Sequence, residues 1–182
     1  MSQILPLINH GQIDFGENKV QESIIKWTDI KNDFKNIKLH MIGKLQTNKV
    51  KYVIPLFDYI HSLDSVKLAE KIAEQQFKCK KSLKIFIQIN IGNENQKNGI
   101  EVGNLESFYK KCKEEFNLNI IGIMSIPPND KDTSIYFARM KKLSEDLNLT
   151  ELSMGMSDDY LKACEFRSTF LRIGSKIFGK RN

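Results

Sequence analysis

A chain of 182 residues is long enough to bury a sizeable core and predicts one domain spanning 1–182. Its composition, 41% hydrophobic and 27% charged, is that of an ordinary globular protein, and no apolar run nears the roughly 20 residues that a membrane-spanning helix needs. The net charge of +6 (28 Lys and Arg against 22 Asp and Glu) is spread along helical faces as Lys-x-x-Lys among acidic residues, without interleaved aromatics, which argues against a nucleic-acid surface.

Apolar runs and helical periodicities alternate along the chain. A first helix, Gln3 to Asn9, is closed by Gly11, and a short strand ends at Asp14-Phe15-Gly16. Lys19 to about Lys31 reads as a helix with Val20, Ile24, Trp27 and Ile30 inward. Lys38 to Gly43 is a strand, with Gln46 to about Ile54 the helix after it. Tyr59 to Leu63 is a strand, and Ser65 caps a helix to about Phe77. The short cluster Lys78, Lys80, Lys81 falls at that helix end, where cations suit the dipole. Lys84 to Ile91 is the clearest strand, followed by the helix Val102 to Phe116. Asn119 to Met124 is a strand, and Thr133 caps a helix to about Leu147. Glu151 to Met154 is a short strand, Asp158 to about Phe166 a helix, and Phe170 to Ile173 the last strand.

Near-continuous apolar strands in strict alternation with helices indicate an α/β architecture, a parallel sheet covered by helices. A (β/α)8 barrel of the TIM type needs eight strands and typically over ~200 residues, so a chain with about seven reads as an incomplete barrel, its first strand absent. A doubly wound sheet is the other arrangement, but no GxGxxG follows the first strand.

The strand ends are polar. Asn18, Gly43, Ser62 with Asp64, Asn90, Ser125, Ser157 and Arg172 all lie where a strand gives way to its loop, the positions that converge on the active-site face of a barrel. The stretch Ser168 to Gly179 is the most informative. An apolar run carries Arg172 near its end and breaks at Gly174 into Ser175-Lys176-Ile177, which delivers a fixed positive fork and free backbone N–H groups to one spot. Such a spot suits a phosphorylated, nitrogen-containing ring. The methionines of Met154-Gly155-Met156 read as core packing. His40 and His61 sit in apolar strands without a partner at metal-ligand spacing and read as satisfied core histidines. Cys79, Cys112 and Cys164 lack CxxC or Cys/His spacing and read as reduced thiols rather than metal ligands. No Ser/His/Asp or Cys/His arrangement stands out, and Tyr136 and Tyr160 fall on helices. The opening Met1 to Pro6 has no basic leader followed by an apolar stretch, so the expected compartment is the cytoplasm.

Six blocks in order carry a resemblance: Asp14 to Glu22, His40 to Lys49, Ile60 to Ser65, Gln88 to Ile100, Leu152 to Asp159 and Arg172 to Gly179. Together, from about Ile4 to Arg181, they closely resemble the pyridoxal 5′-phosphate homeostasis protein family, single-domain relatives of the alanine racemase barrel. The resemblance implies the barrel of fold-type III proteins and pyridoxal 5′-phosphate (PLP) as cofactor. It implies that Gly174 and Ser175 offer backbone N–H groups to the phosphate and Ser157 a hydroxyl. It further implies that Arg172 faces the pyridine nitrogen and keeps it unprotonated, and that Asn18 lies beside the ring. Lys97 and the Asn-rich loop around it resemble a mobile rim over the site; a solvated loop lysine is the alternative.

The implied role is intracellular binding, buffering and delivery of PLP without turnover, because an unprotonated ring nitrogen is a weak electron sink. Two alternatives stay open: a fold-type III amino-acid racemase, and a barrel remnant that no longer binds PLP. PLP and PLP-dependent apoenzymes are the expected partners, with no nucleic acid and no membrane. In the family, a lysine on the first barrel strand holds the cofactor as a Schiff base, in an apolar-Ser-Lys pattern before the first helix. Here Met1 falls just before that helix, so the chain reads as N-terminally truncated. None of Lys19, Lys44, Lys49 or Lys97 matches the Schiff-base position, and a covalent lysine link is not expected. Either the natural start lies upstream, or the chain holds PLP non-covalently. The family implies a monomer; a barrel missing one strand exposes two hydrogen-bonding edges and is open to self-association.

Overall fold

A strand such as Ile85-Phe86-Ile87-Gln88-Ile89 has apolar side chains on both faces, and a sheet of such strands must be covered on both sides. The computed structural model, which describes residues 3–94, 97–128 and 132–179, shows how this is done. The elements run α1 (Ile4–Asn9), β1 (Asp14–Glu17), α2 (Val20–Asp33), β2 (Lys38–Met41), α3 (Val50–Leu56), β3 (Tyr59–Leu63), α4 (Val66–Cys79) and β4 (Lys84–Ile89). They continue through α5 (Leu105–Glu114), β5 (Ile120–Ser125), α6 (Ser134–Asp146), β6 (Glu151–Met156), α7 (Tyr160–Glu165), β7 (Phe170–Arg172) and α8 (Ser175–Phe178).

The seven strands among the described residues form one sheet in sequence order, every neighbouring pair parallel. Outward-facing residues of the strands, among them Leu39, Met41, Ile60, Ile85, Ile87, Ile123, Leu152 and Met154, join Trp27, Val53, Leu68, Phe108 and Phe137 of the helices in one core. Inward-facing Tyr59, Phe86 and Met124 form a second cluster with Ile121 and Phe170.

That inner cluster proves the curvature. Phe170 of β7 lies 5.8 Å from the ring of His40 on β2, 5.6 Å from Tyr59 on β3 and 5.1 Å from Phe86 on β4. In a flat sheet β7 and β2 would stand about 24 Å apart at the usual strand spacing. The sheet is therefore curled into a nearly closed barrel, with β1 and β7 at the two ends of the hydrogen-bonded order. The β1 end is pinned by a buried Glu17, whose Oε1 accepts from Trp27 Nε1 and Lys26 Nζ, both at 2.7 Å.

Local chemistry places several boundaries away from the periodicity. Strand β4 stops at Ile89, short of Ile91, because the Asn90 side chain folds onto the loop: its Oδ1 accepts from the Glu94 N–H (3.1 Å) and its Nδ2 donates to the Glu94 carbonyl (2.9 Å). The expected helices from Gln46 and Val102 each begin with a tight 3-10 turn, Thr47–Lys49 and Val102–Asn104, before α3 and α5. Ser65 caps α4 as expected, accepting from the Leu68 N–H. The Thr133 side chain makes no capping bond to α6; just before the helix, the carboxylate of Asp132 accepts from the Ser134 N–H at 2.9 Å. Lys81 is also more than a solvated cation, since its ammonium donates to the Pro55 and Phe57 carbonyls at the end of α3 (3.0 and 2.7 Å).

Candidate functional site

Parallel strands of a barrel deliver their last residues to one end, and the chemistry of this chain is at that end. Arg172 closes β7. Its Nη1 donates to Ser153 Oγ at 2.7 Å and its Nη2 to the Ser125 carbonyl at 2.8 Å, so strands β5 and β6 both hold the guanidinium plane. Burial pushes the guanidinium down to about 10, offset in part by the charge of Asp159; the group stays a cation at neutral pH. These two bonds take two of its five donors.

Beside the fork, the turn from β7 into α8 gathers amides. Ser157, just past the end of β6, is buried, and its Oγ accepts from the Gly174 N–H (3.3 Å) and the Lys176 N–H (3.4 Å). Open space surrounds the position a Cβ would take on Gly174. The convergent donors are thus Gly174 and Lys176, with Ser175 exposed between them at the head of α8. Two amides aimed at one hydroxyl-lined point are suited to an oxyanion.

Ser125 adds an unusual feature. Its hydroxyl, like that of Ser62 at the end of β3, is buried without a hydrogen-bond partner among the described residues. Buried hydroxyls normally find partners, and these two are exceptions near the ends of their strands. Asp64, also at the β3 end, has its carboxyl raised by burial, countered by Lys44.

Asn18 follows β1 and is exposed, with no hydrogen bond to Arg172, Ser157 or the α8 turn among the described residues. Its backbone is what the fold uses: a Cβ on Gly43 would lie 2.2 Å from the Asn18 carbonyl oxygen, so the two loops meet this closely only with glycine there. Lys97 pairs with Glu94 at 2.5 Å and donates to the Pro127 carbonyl at 3.3 Å, joining the loops after β4 and β5. Its neighbours Asn95 and Gln96 lie outside the described residues. Met154 is core, but Met156 is 38% exposed, because Gly155 takes φ +89° and turns the chain outward against Ala163. Tyr160 on α7 is covered by the ammonium of Lys176, 4.8 Å above its ring.

The histidines are satisfied core residues, as read, but by a route that sequence reasoning missed. His40 Nδ1 lies 3.0 Å from His61 Nε2, His40 Nε2 lies 3.0 Å from Asp14 Oδ1, and His61 Nδ1 lies 2.8 Å from Ser153 Oγ. Burial holds both imidazoles below their ordinary range. For His40 the Asp14 contact works against that fall; for His61 the charges of His40 and Arg172 deepen it. Ser153 is therefore shared between Arg172 and His61, a role its place inside an apolar strand does not announce. Among the described residues no three His, Cys, Asp or Glu side chains are grouped to hold a metal ion. Cys112 is buried, its thiol pushed up to about 12, while Cys79 and Cys164 are exposed. A cleft of about 290 Å³, lined by Lys84, Lys113, Asn148 and Glu151, opens at the opposite end of the barrel, away from the fork and the amides.

Comparison with known proteins follows the same lines. The alanine racemase N-terminal domain family model matches residues 1–182. The pyridoxal phosphate homeostasis protein of Aquifex aeolicus is 38% identical over 182 residues, covering 95% of this chain and 79% of that protein. Among solved structures, PipY of Synechococcus elongatus PCC7942, described both without PLP and with PLP bound, is 32% identical. It superposes with TM-scores of 0.91 and 0.90 over 98% of this chain and 87% of its own. Alanine racemase from Corynebacterium glutamicum matches in fold alone, at 15% identity and a TM-score of 0.69, over 98% of this chain and 52% of that enzyme.

Proposed function

Because the chain belongs to the alanine racemase N-terminal domain family and, within it, to the pyridoxal phosphate homeostasis proteins, we propose that it binds PLP at the C-terminal end of its barrel and holds it without turnover. The observation that carries this reading is the meeting of an amide cradle and a fixed cationic fork at the ends of β6 and β7. The residues present fit the cofactor. Gly174, Ser175 and Lys176 would hold the phosphate through backbone N–H groups, with the Ser157 hydroxyl, and the open surroundings of Gly174 leave room for it. Arg172 would meet the ring nitrogen, and Asn18 would approach the ring from the β1 side.

When bound, PLP supplies an electron sink whose strength depends on protonation of its ring nitrogen. A guanidinium that stays charged at neutral pH donates to that nitrogen without protonating it, so the sink is weakened. This favours storage and delivery over catalysis. PLP-requiring apoenzymes are the receiving partners, and the cytoplasm is the compartment. The hold is non-covalent: Lys19 is paired with Glu22 and Lys97 with Glu94, and none of Lys19, Lys44, Lys49 or Lys97 matches the family's Schiff-base position.

A titration of the purified chain with PLP, followed by visible absorbance and then by borohydride reduction and peptide mapping, tests this. Saturable 1:1 binding that inorganic phosphate displaces, with no lysine labelled, is expected. A single reduced lysine adduct would replace the non-covalent hold, and racemisation of L-alanine by the loaded protein would overturn the absence of turnover.

A further inference from the structure

We propose that Asp14, His40, His61 and Ser153 are positioning residues, a hydrogen-bond chain of single polarity that runs through the barrel interior and sets the Arg172 fork. That the fork faces a ring nitrogen rests on the function proposed above; the polarity of the chain does not.

The ends fix the direction. A guanidinium only donates, and a carboxylate only accepts. Arg172 Nη1 donates to Ser153 Oγ, and at the other end Asp14 Oδ1 must receive its proton from His40 Nε2. A neutral imidazole has one N–H, so His40 Nδ1 is left bare and can only accept. His61 Nε2 then supplies the proton in the ring-to-ring contact, which leaves His61 Nδ1 bare to accept the Ser153 hydroxyl proton. Every link thus donates away from Arg172 and toward Asp14. The opposite polarity would turn a bare His40 Nε2 onto the Asp14 oxygen, lone pair against lone pair. Burial of both rings, which favours their neutral forms, supports the single-proton count.

Packing keeps the rings from turning. His40 is stacked on Tyr59 at 4.1 Å between centroids and 12° between planes, and His61 on Phe86 at 4.3 Å and 24°. The chain crosses from β1 through β2 and β3 to β6 and β7, from the floor of the barrel to its mouth. It is no proton wire, because its upper terminus is an arginine that neither takes nor gives up a proton at neutral pH. Its effect is polarisation: a hydroxyl that donates to an imidazole becomes a better acceptor, and the Asp14 charge reinforces each link behind it. Ser153 thereby grips one arm of the fork while the Ser125 carbonyl grips the other.

The test is nitrogen-15 long-range correlation spectroscopy of the histidine rings in the full, ligand-free chain, with exposed His10 as the reference. Both His40 and His61 are expected as Nε2–H tautomers; an Nδ1–H form at either ring overturns the proposal. Asp14 is half exposed, so Asp14→Ala should fold normally. In D14A the His61 ring signals should shift although the substitution touches only His40; unchanged His61 signals would also overturn it. In H61F, PLP affinity should fall about tenfold while inorganic phosphate affinity stays within twofold. Equal losses for both ligands would make His61 merely structural. A chain that never binds PLP would refute the proposed function and leave the tautomer result standing by itself.

Discussion

The two faces of the sheet are built differently. Between sheet and helices, Leu39, Ile60, Ile87, Leu152, Met154 and Phe137 belong to one apolar core whose strength lies in volume filled. Inside the curl, the aromatic rings of Tyr59, Phe86 and Phe170 wall in a line of polar groups, each satisfied by the next: Asp14, His40, His61, Ser153, Arg172. The outer face tolerates any well-packed set of side chains of the right size. The inner face does not, since removing one member strands a buried partner. Stability therefore resides mainly outside the sheet, and the geometry of the mouth mainly inside it.

Substitutions can separate the two. The largest effect is expected from Phe137→Ala in the outer core, where the side chain is fully buried. It should cost about 3–5 kcal/mol in urea unfolding, with PLP affinity of the folded fraction unchanged; a strong affinity loss would mean that the faces are coupled. Arg172→Met should do the reverse. PLP affinity should fall about a hundredfold by equilibrium dialysis, while unfolding stability changes by less than about 1 kcal/mol because a desolvated cation is removed. A collapse of stability would make Arg172 a structural residue.

Between pH 7.5 and 5.5, before the carboxylates of the helix layer protonate, acid should act on the inner face. His61 and His40 both titrate below their ordinary value when folded, so the unfolded chain binds more protons below about pH 6.5. Stability is full above that pH and falls as pH drops toward the folded values, by up to about 1.4 kcal/mol per pH unit for each ring. Asp14, Asp58 and Lys38 face His40, and Arg172 and His40 face His61, so the cationic neighbours of His61 make it the later to protonate. Urea unfolding at pH 7.5 and 5.5 reads the slope, and His61→Phe should reduce it; equal slopes in both proteins would sink the assignment. The smallest contrast lies in the helix layer. Ser65→Ala should cost about 1 kcal/mol by losing the α4 cap, whereas Thr133→Ala, at a position whose side chain makes no capping bond, should stay within about 0.5 kcal/mol.

Much of this architecture is legible in local patterns. Tyr59 to Leu63 and its capped helix follow from a five-residue apolar run and a serine, because side-chain alternation and capping depend on neighbours a few residues apart. The fork and the amide turn from Arg172 to Lys176 are equally local, and they lie together in the structure as they do in the chain. What escaped is non-local or competitive. The Thr133 side chain makes no capping bond, while the Asp132 carboxylate beside it accepts from the first N–H of α6. The Lys176 N–H joins that of Gly174 on the Ser157 hydroxyl, a contact spanning 19 residues of sequence.

The sequence by itself determined the strands, their parallel order and the residues at their ends, since each is written in spacings shorter than one helix–strand unit. Only the tertiary structure decided that His61 meets Ser153, 92 residues further on, and that Phe170 of β7 packs against His40 of β2. Those relations depend on how far the sheet curls. Curl is the summed twist and packing of all seven strands, a quantity that no single segment carries.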